Sequence, residues 1–181
     1  MSRIPLVGRS AVTGAAREAF DRKIAERGNI PNMYRAFAHR PWLLTTMDAH
    51  FAAVMGSGTV PVKIKEMLAL QTSLENASRH CAASHTTLAE RTGSTKDQIA
   101  ALRDFESGPF TEREKAALRF GLQMTRDANR IPDATWAALR EHFAEAEVVE
   151  LASVVGLFAY FNRFNNALGL EPTRPGEGAD S

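Results

Sequence analysis

The sequence predicts an all-α protein, and three observations predict it. No stretch shows the strict apolar/polar alternation of a half-buried strand, apolar residues recur at helical spacing, and proline or glycine punctuates the chain between the periodic segments. At 181 residues and 44% hydrophobic composition the chain can bury a substantial core, so a single helical domain is assigned to residues 1–172. From residue 173 to 181 the composition turns to Pro, Gly, Glu and Asp, which predicts a disordered tail.

Each helix has its own signals. Over residues 13–27 Ala16, Phe20, Ile24 and Ala25 form one stripe, and Gly28 to Pro31 stops the helix. A short segment follows over 31–38. Pro41 then opens a helix with Leu43, Leu44, Met47, Phe51 and Val54 or Met55 inward, ending at Gly56-Ser57-Gly58. Pro61 opens the next, in which Ile64, Met67, Leu68 and Leu70 surround Glu66 with apolar neighbours. Asn76 and Ser78 prefer caps to helix interiors, so a break falls at 75–78, and a second helix runs from His80 to Arg91. Thr95 starts a short helix to about Leu102, Thr111 caps one to about Asp127, and Pro132 opens one to about Phe143. The last, from about Ala146 to Leu168, is the most apolar and is expected at the centre of the molecule or at a subunit contact. Trp42, Met47, Phe51, Phe158 and Phe161 fall at helical spacing and read first as core.

The charge balance, 22 Lys+Arg against 21 Asp+Glu, supplies no basic field for nucleic acid. The start of the chain lacks the continuous apolar core of a signal peptide, and the longest apolar stretch, 151–161, is short of the roughly 20 residues that span a bilayer. A cytoplasmic protein with no membrane partner is expected. Its only cysteine, Cys81, excludes an intrachain disulfide and suits a reducing compartment.

Cys81 stands between His80 and His85, and the thiolate is the reactive form of a cysteine. If Ser78 caps the second helix, Cys81 falls near its third position, where the helix dipole favours an anion by roughly 0.3–1 kcal/mol. His85 lies one turn further along the same face, and Ser78 shares that face three residues before. In an antiparallel helical hairpin about residue 77, Glu66 comes within a turn of His85. The carboxylate would orient the imidazole and the imidazole would accept the thiol proton. His80, about 100° round the helix from Cys81, could border the sulfur from the side. Plainer readings stand beside these. Cys81 could be an inert buried residue, His85 a core histidine, His80 a solvent-facing one, and Glu66 the partner of a lysine in Lys63-Ile64-Lys65-Glu66. No metal is expected, because His80 and His85 lie about 140° apart round a helix and no distant pair completes a shell.

The stretch Glu66 to Gly93, with Ser78-Arg-His80-Cys81-Ala-Ala-Ser-His85, resembles the core of the alkylhydroperoxidase D/carboxymuconolactone decarboxylase family. Gly28 to Pro41, Thr111 to Phe120 and Phe161 to Gly169 resemble its peroxidase-related branch, so the likeness covers roughly residues 4–172. It implies an alkylhydroperoxidase D-like helical bundle, usually oligomeric, in which a glutamate, a Cys-x-x-Cys pair and a histidine reduce peroxides. Glu66, Cys81 and His85 match the glutamate, the attacking cysteine and the histidine, His80 matches the residue before that cysteine, and Ser78 stands in place of the resolving cysteine. The resemblance therefore implies a cofactor-free, one-cysteine peroxidase that takes a small hydroperoxide and an external thiol reductant, and a homo-oligomer. The rival expectations are decarboxylase-type acid/base chemistry through His85 and Glu66, and a redox-sensing or structural oligomer without turnover.

Overall fold

The computed structural model describes residues 2–179, and the secondary structure of these residues is helical throughout, with no strand. The nine α-helices are α1 (Gly14–Arg27), α2 (Asn32–Phe37), α3 (Pro41–Met55), α4 (Val62–Glu75), α5 (Arg79–Arg91), α6 (Lys96–Ala101), α7 (Glu112–Asp127), α8 (Asp133–Arg140) and α9 (Glu145–Leu168). Contacts group the chain into two compact units, one holding residues up to Ala53 and from Phe164 onward, the other Val54–Arg163.

In the first unit the buried stripe of α1 is Ala16, Ala19, Phe20 and Lys23, while Ala25 is exposed. Lys23 takes the inward position because its ammonium has partners there, Glu26 at 2.8 Å and Asp48 at 3.7 Å. Burial, then the Asp48 carboxylate, pushes the Tyr34 phenol well up, so it stays a donor, to Asp48 Oδ1 at 2.6 Å. Trp42, expected in the core, is 64% exposed. It lies about 200° round α3 from buried Leu44, on the far side of that helix. The expected tail lies partly outside the described residues, at Asp180 and Ser181; within them Glu177 O accepts from Ile30 N at 3.1 Å and Thr173 Oγ1 from Asn32 N at 2.9 Å.

The second unit is built on α4. Residues Ile64 to Ser73 are buried without interruption, so this helix presents no solvent face over nearly three turns. It packs on α5 and α7. A Cβ at Gly121 of α7 would collide with Leu68 Cδ2, so the missing side chain sets how closely α7 approaches α4. The cap expected at Thr111 is made in full, a reciprocal capping box with Glu114, and Thr95, the expected start of a helix, makes the same box with Gln98.

Lys65 is 1% exposed and would be ruinous unpaired. Its ammonium donates to the carbonyls of Val54 and Gly56, each at 3.0 Å, and meets Glu150 Oε2 of α9 at 2.8 Å. Glu150 in turn accepts from Thr59 Oγ1 at 2.6 Å, Thr59 N at 3.0 Å and Val60 N at 3.4 Å. Lys65 and then Thr59 hold its carboxyl down to about 2. This cluster ties the 56–60 loop to α4 and α9, and a Cβ at Gly58 would fall on the carboxylate.

Candidate active site

The turn between α4 and α5 is only Asn76-Ala77-Ser78, as the capping preferences of Asn and Ser predict. Its geometry is a Schellman motif: Ser78 N donates to Ser73 O at 2.8 Å and Ala77 N to Leu74 O at 3.3 Å. The left-handed position that glycine normally fills is held by Ala77, at φ +51°. A side-chain relay braces the turn against α9, with Asn76 Nδ2 donating to Asn162 Oδ1 at 3.0 Å and, in its buried half, Asn162 Nδ2 to Ser73 Oγ at 3.1 Å. Ser73 Oγ itself donates back to Ala69 O at 2.7 Å.

This turn places Arg79, His80 and Cys81 at the first three positions of α5. Cys81 therefore sits where the helix dipole favours an anion, by roughly 0.3–1 kcal/mol. One helical turn on, His85 directs Nδ1 at Glu66 Oε2 of α4, 2.6 Å away. Glu66 takes the histidine because its lysine neighbours are committed elsewhere, Lys63 to Glu114 at 2.7 Å and Lys65 to Glu150. A carboxylate at Nδ1 fixes the proton there and leaves Nε2 as the basic nitrogen, which carries no hydrogen bond among the described residues. The ring stands edge-to-face with Phe158 of α9, centroids 4.5 Å apart, and Phe158 meets Phe161 in the same manner.

Cys81, His85, Glu66 and His80 are all buried, at 4%, 5%, 5% and 6% exposure. The structure thus joins Glu66 to His85 directly, sets Cys81 on the same helix one turn before His85, and buries His80 rather than exposing it. Among the described residues no group of three or more His, Cys, Asp or Glu side chains converges to hold a metal. Two features escaped the sequence reading. Asn162 braces the turn across 86 residues, with only its place in an apolar helix as a signal, and Phe158 packs on the histidine, where sequence marked it only as core. Arg163, in the otherwise apolar last helix, is exposed and donates to Ala159 O of that helix at 3.1 Å.

Residues 41–123 match the model of the carboxymuconolactone decarboxylase family. Over 107 residues the chain is 29% identical to the uncharacterised protein YdfG of Bacillus subtilis strain 168, covering 58% of this chain and 73% of the relative. An alkylhydroperoxidase AhpD core, an uncharacterised peroxidase-related protein from Ralstonia eutropha JMP134, superposes with a TM-score of 0.84 at 26% identity, covering 95% of this chain and 92% of that one. A cysteine-to-alanine variant of the debrominase Bmp8, in complex with 2,3,4-tribromopyrrole, shares the fold with a TM-score of 0.84 at 20% identity, covering 97% and 96%. No helix among the described residues is long and apolar enough to cross a membrane.

Proposed function

This chain belongs to the alkylhydroperoxidase D/carboxymuconolactone decarboxylase family, and from that premise we propose that it is a one-cysteine thiol peroxidase acting through Cys81. The observation that carries the reading is the 2.6 Å bond between Glu66 and His85 on the helix whose third residue is the thiol. His85 Nε2 takes the thiol proton while Glu66 holds the ring in position. The thiolate attacks the distal oxygen of the hydroperoxide, forming an S–O bond as the O–O bond breaks, and the imidazolium returns the proton to the departing alkoxide. The products are an alcohol and Cys81 sulfenic acid.

The second half of the cycle needs thiols from outside, because Ser78 cannot form a disulfide. One external thiolate attacks the sulfenic sulfur and water leaves, giving a mixed disulfide. A second thiol then releases the Cys81 thiol and an external disulfide. The sum is one hydroperoxide and two thiols giving one alcohol, one water and one disulfide. The Phe158 ring beside His85, with Phe161 packed on Phe158, favours an organic hydroperoxide over hydrogen peroxide. His80, buried next to Cys81, completes the wall of the site. A reducing cytoplasm and self-assembly complete the reading, the latter through the exposed apolar residues Val149 and Tyr160 of α9; sedimentation as monomer alone would remove that last element.

Peroxide consumption with an external thiol is expected to stop in Cys81→Ser, and equal rates for the two proteins would overturn the proposal. The Glu66–His85 pair would also serve decarboxylase-type proton transfer, where sulfur plays no part. Turnover retained in Cys81→Ser and lost in His85→Ala selects that second reading.

A further inference from the structure

Ser78 occupies two junctions at once. Its N–H closes the last turn of α4 on Ser73 O, and its carbonyl accepts from Ala82 N at 2.9 Å to open α5. Its hydroxyl is used by neither helix. A serine at a helix N-cap normally bonds the backbone two or three residues on. Thr95 and Thr111 do so here, with ψ of 160° and 159°, whereas Ser78 has ψ of 93° and makes no cap. The residue is 1% exposed, and among the described residues Ser78 Oγ has no hydrogen-bond partner.

A buried hydroxyl without a partner is costly, and the turn that holds it is braced by the Asn76–Asn162–Ser73 relay rather than left to relax. It lies three residues before Cys81, at the N-cap of the helix that carries both Cys81 and His85. We infer that the Ser78 hydroxyl is reserved for an oxygen that arrives at Cys81 during the reaction, and donates its hydrogen bond to the sulfenate. The inference rests on the peroxidase reading and adds a residue to it. A sulfenate whose oxygen accepts that bond is a weaker nucleophile toward a second peroxide, so its sulfur waits for the external thiol instead of attacking the peroxide O–O bond and becoming a sulfinate. Ser78 thus takes the position of a resolving thiol and performs its protective part, without closing a disulfide.

The test is the lifetime of oxidised Cys81 after a brief pulse of cumene hydroperoxide with no thiol present, read by dimedone capture and intact mass in the full chain. In Ser78→Ala the captured sulfenate is expected to decay about tenfold faster, with a matching rise in sulfinate on further peroxide. Its thermal stability should equal or exceed that of the wild type, since the variant removes an unpaired buried hydroxyl and no cap. A loss of stability would instead show a structural bond and overturn the inference. Ser78→Cys supplies a second readout, because a side chain directed at the sulfur should capture the sulfenate as an internal disulfide with loss of water. Equal sulfenate lifetimes in wild type and Ser78→Ala, or no internal disulfide in Ser78→Cys, overturn this inference while the peroxidase reading stands. Absence of any dimedone adduct in the wild type overturns both.

Discussion

Neighbouring residues of α4 carry two buried ion-pairing groups with opposite designs. Lys65 faces Glu150, and that pair is saturated: the ammonium has three oxygen partners and the carboxylate takes three further donors from the 56–60 loop. Glu66 faces His85, and that pair is left open, with one bond between the two side chains and a ring nitrogen to spare. The first arrangement is a lock, since its bonds are spent within the pair and on the 54–60 segment. The second can move a proton, because the imidazole holds the carboxylate with one ring nitrogen and its second nitrogen is unspent. Two charges in similar burial therefore read as structure or as chemistry according to how many of their bonds are already made.

The comparison breaks most sharply at the open pair. Glu66→Gln keeps an oxygen that can accept from His85 Nδ1 but removes the charge, and His85→Ala removes the base. Each is expected to lower peroxidase kcat/KM by about 10²–10⁴-fold, measured with cumene hydroperoxide and excess thiol. An unchanged rate in both would place the pair among the locks. His85→Ala also strands a buried carboxylate, so its folding should be checked, whereas Glu66→Gln should fold normally.

At the saturated pair the expected loss is of stability. Lys65→Ala leaves Glu150 and the carbonyls of Val54 and Gly56 without their cation, at a cost of about 3 kcal/mol in chemical denaturation. Folded variant should keep wild-type kcat. A large fall in kcat with little loss of stability would mean that the Lys65–Glu150 pair serves the chemistry and not the fold.

The lock also has a pH signature. A carboxyl held down to about 2 from an ordinary 4.5 binds its proton less readily folded than unfolded. The stability it contributes is complete above about pH 4.5 and is lost as the pH falls toward 2. Denaturation midpoints followed through that window should drop in the wild type and drop less in Glu150→Gln. Parallel curves would show that Glu150 is no part of the acid limb.

The smallest effect lies in the turn that joins the regions. Ala77→Gly relieves a left-handed alanine at φ +51° but loosens the unfolded chain, for a net gain of less than about 1 kcal/mol. A destabilised variant would mean that the methyl group is packed rather than strained.

Much of the fold was legible in the sequence because its punctuation is local. Pro41, Pro61 and Pro132 open helices, Gly28 ends one, and Thr95 and Thr111 make the caps their spacing announces. The hairpin break was legible from Asn76 and Ser78, yet the Schellman turn was not, since alanine at 77 gives no left-handed signal. The approach of Glu66 to His85 followed from helix pitch and a short turn. Lys65 was not legible as a buried cation, because its partner Glu150 is remote in sequence and its neighbours Lys63 and Glu66 make it look like a solvated charge run. Trp42 failed for a related reason: side-chain type suggested core, while its phase on α3 put it outside. Local chemistry is written in sequence, and the choice between an open and a saturated pair is written in tertiary contacts.

In the proposed cycle Cys81 is oxidised by peroxide and restored only by another molecule's thiol. Mass spectrometry of the wild-type chain after a brief cumene hydroperoxide pulse, before and after addition of a small thiol, tests it most directly. One added oxygen on Cys81 is expected, exchanged for a mixed disulfide and then for the free thiol as the reductant is raised. Cys81 left unmodified while peroxide is consumed, or peroxide untouched at every thiol concentration, would contradict it.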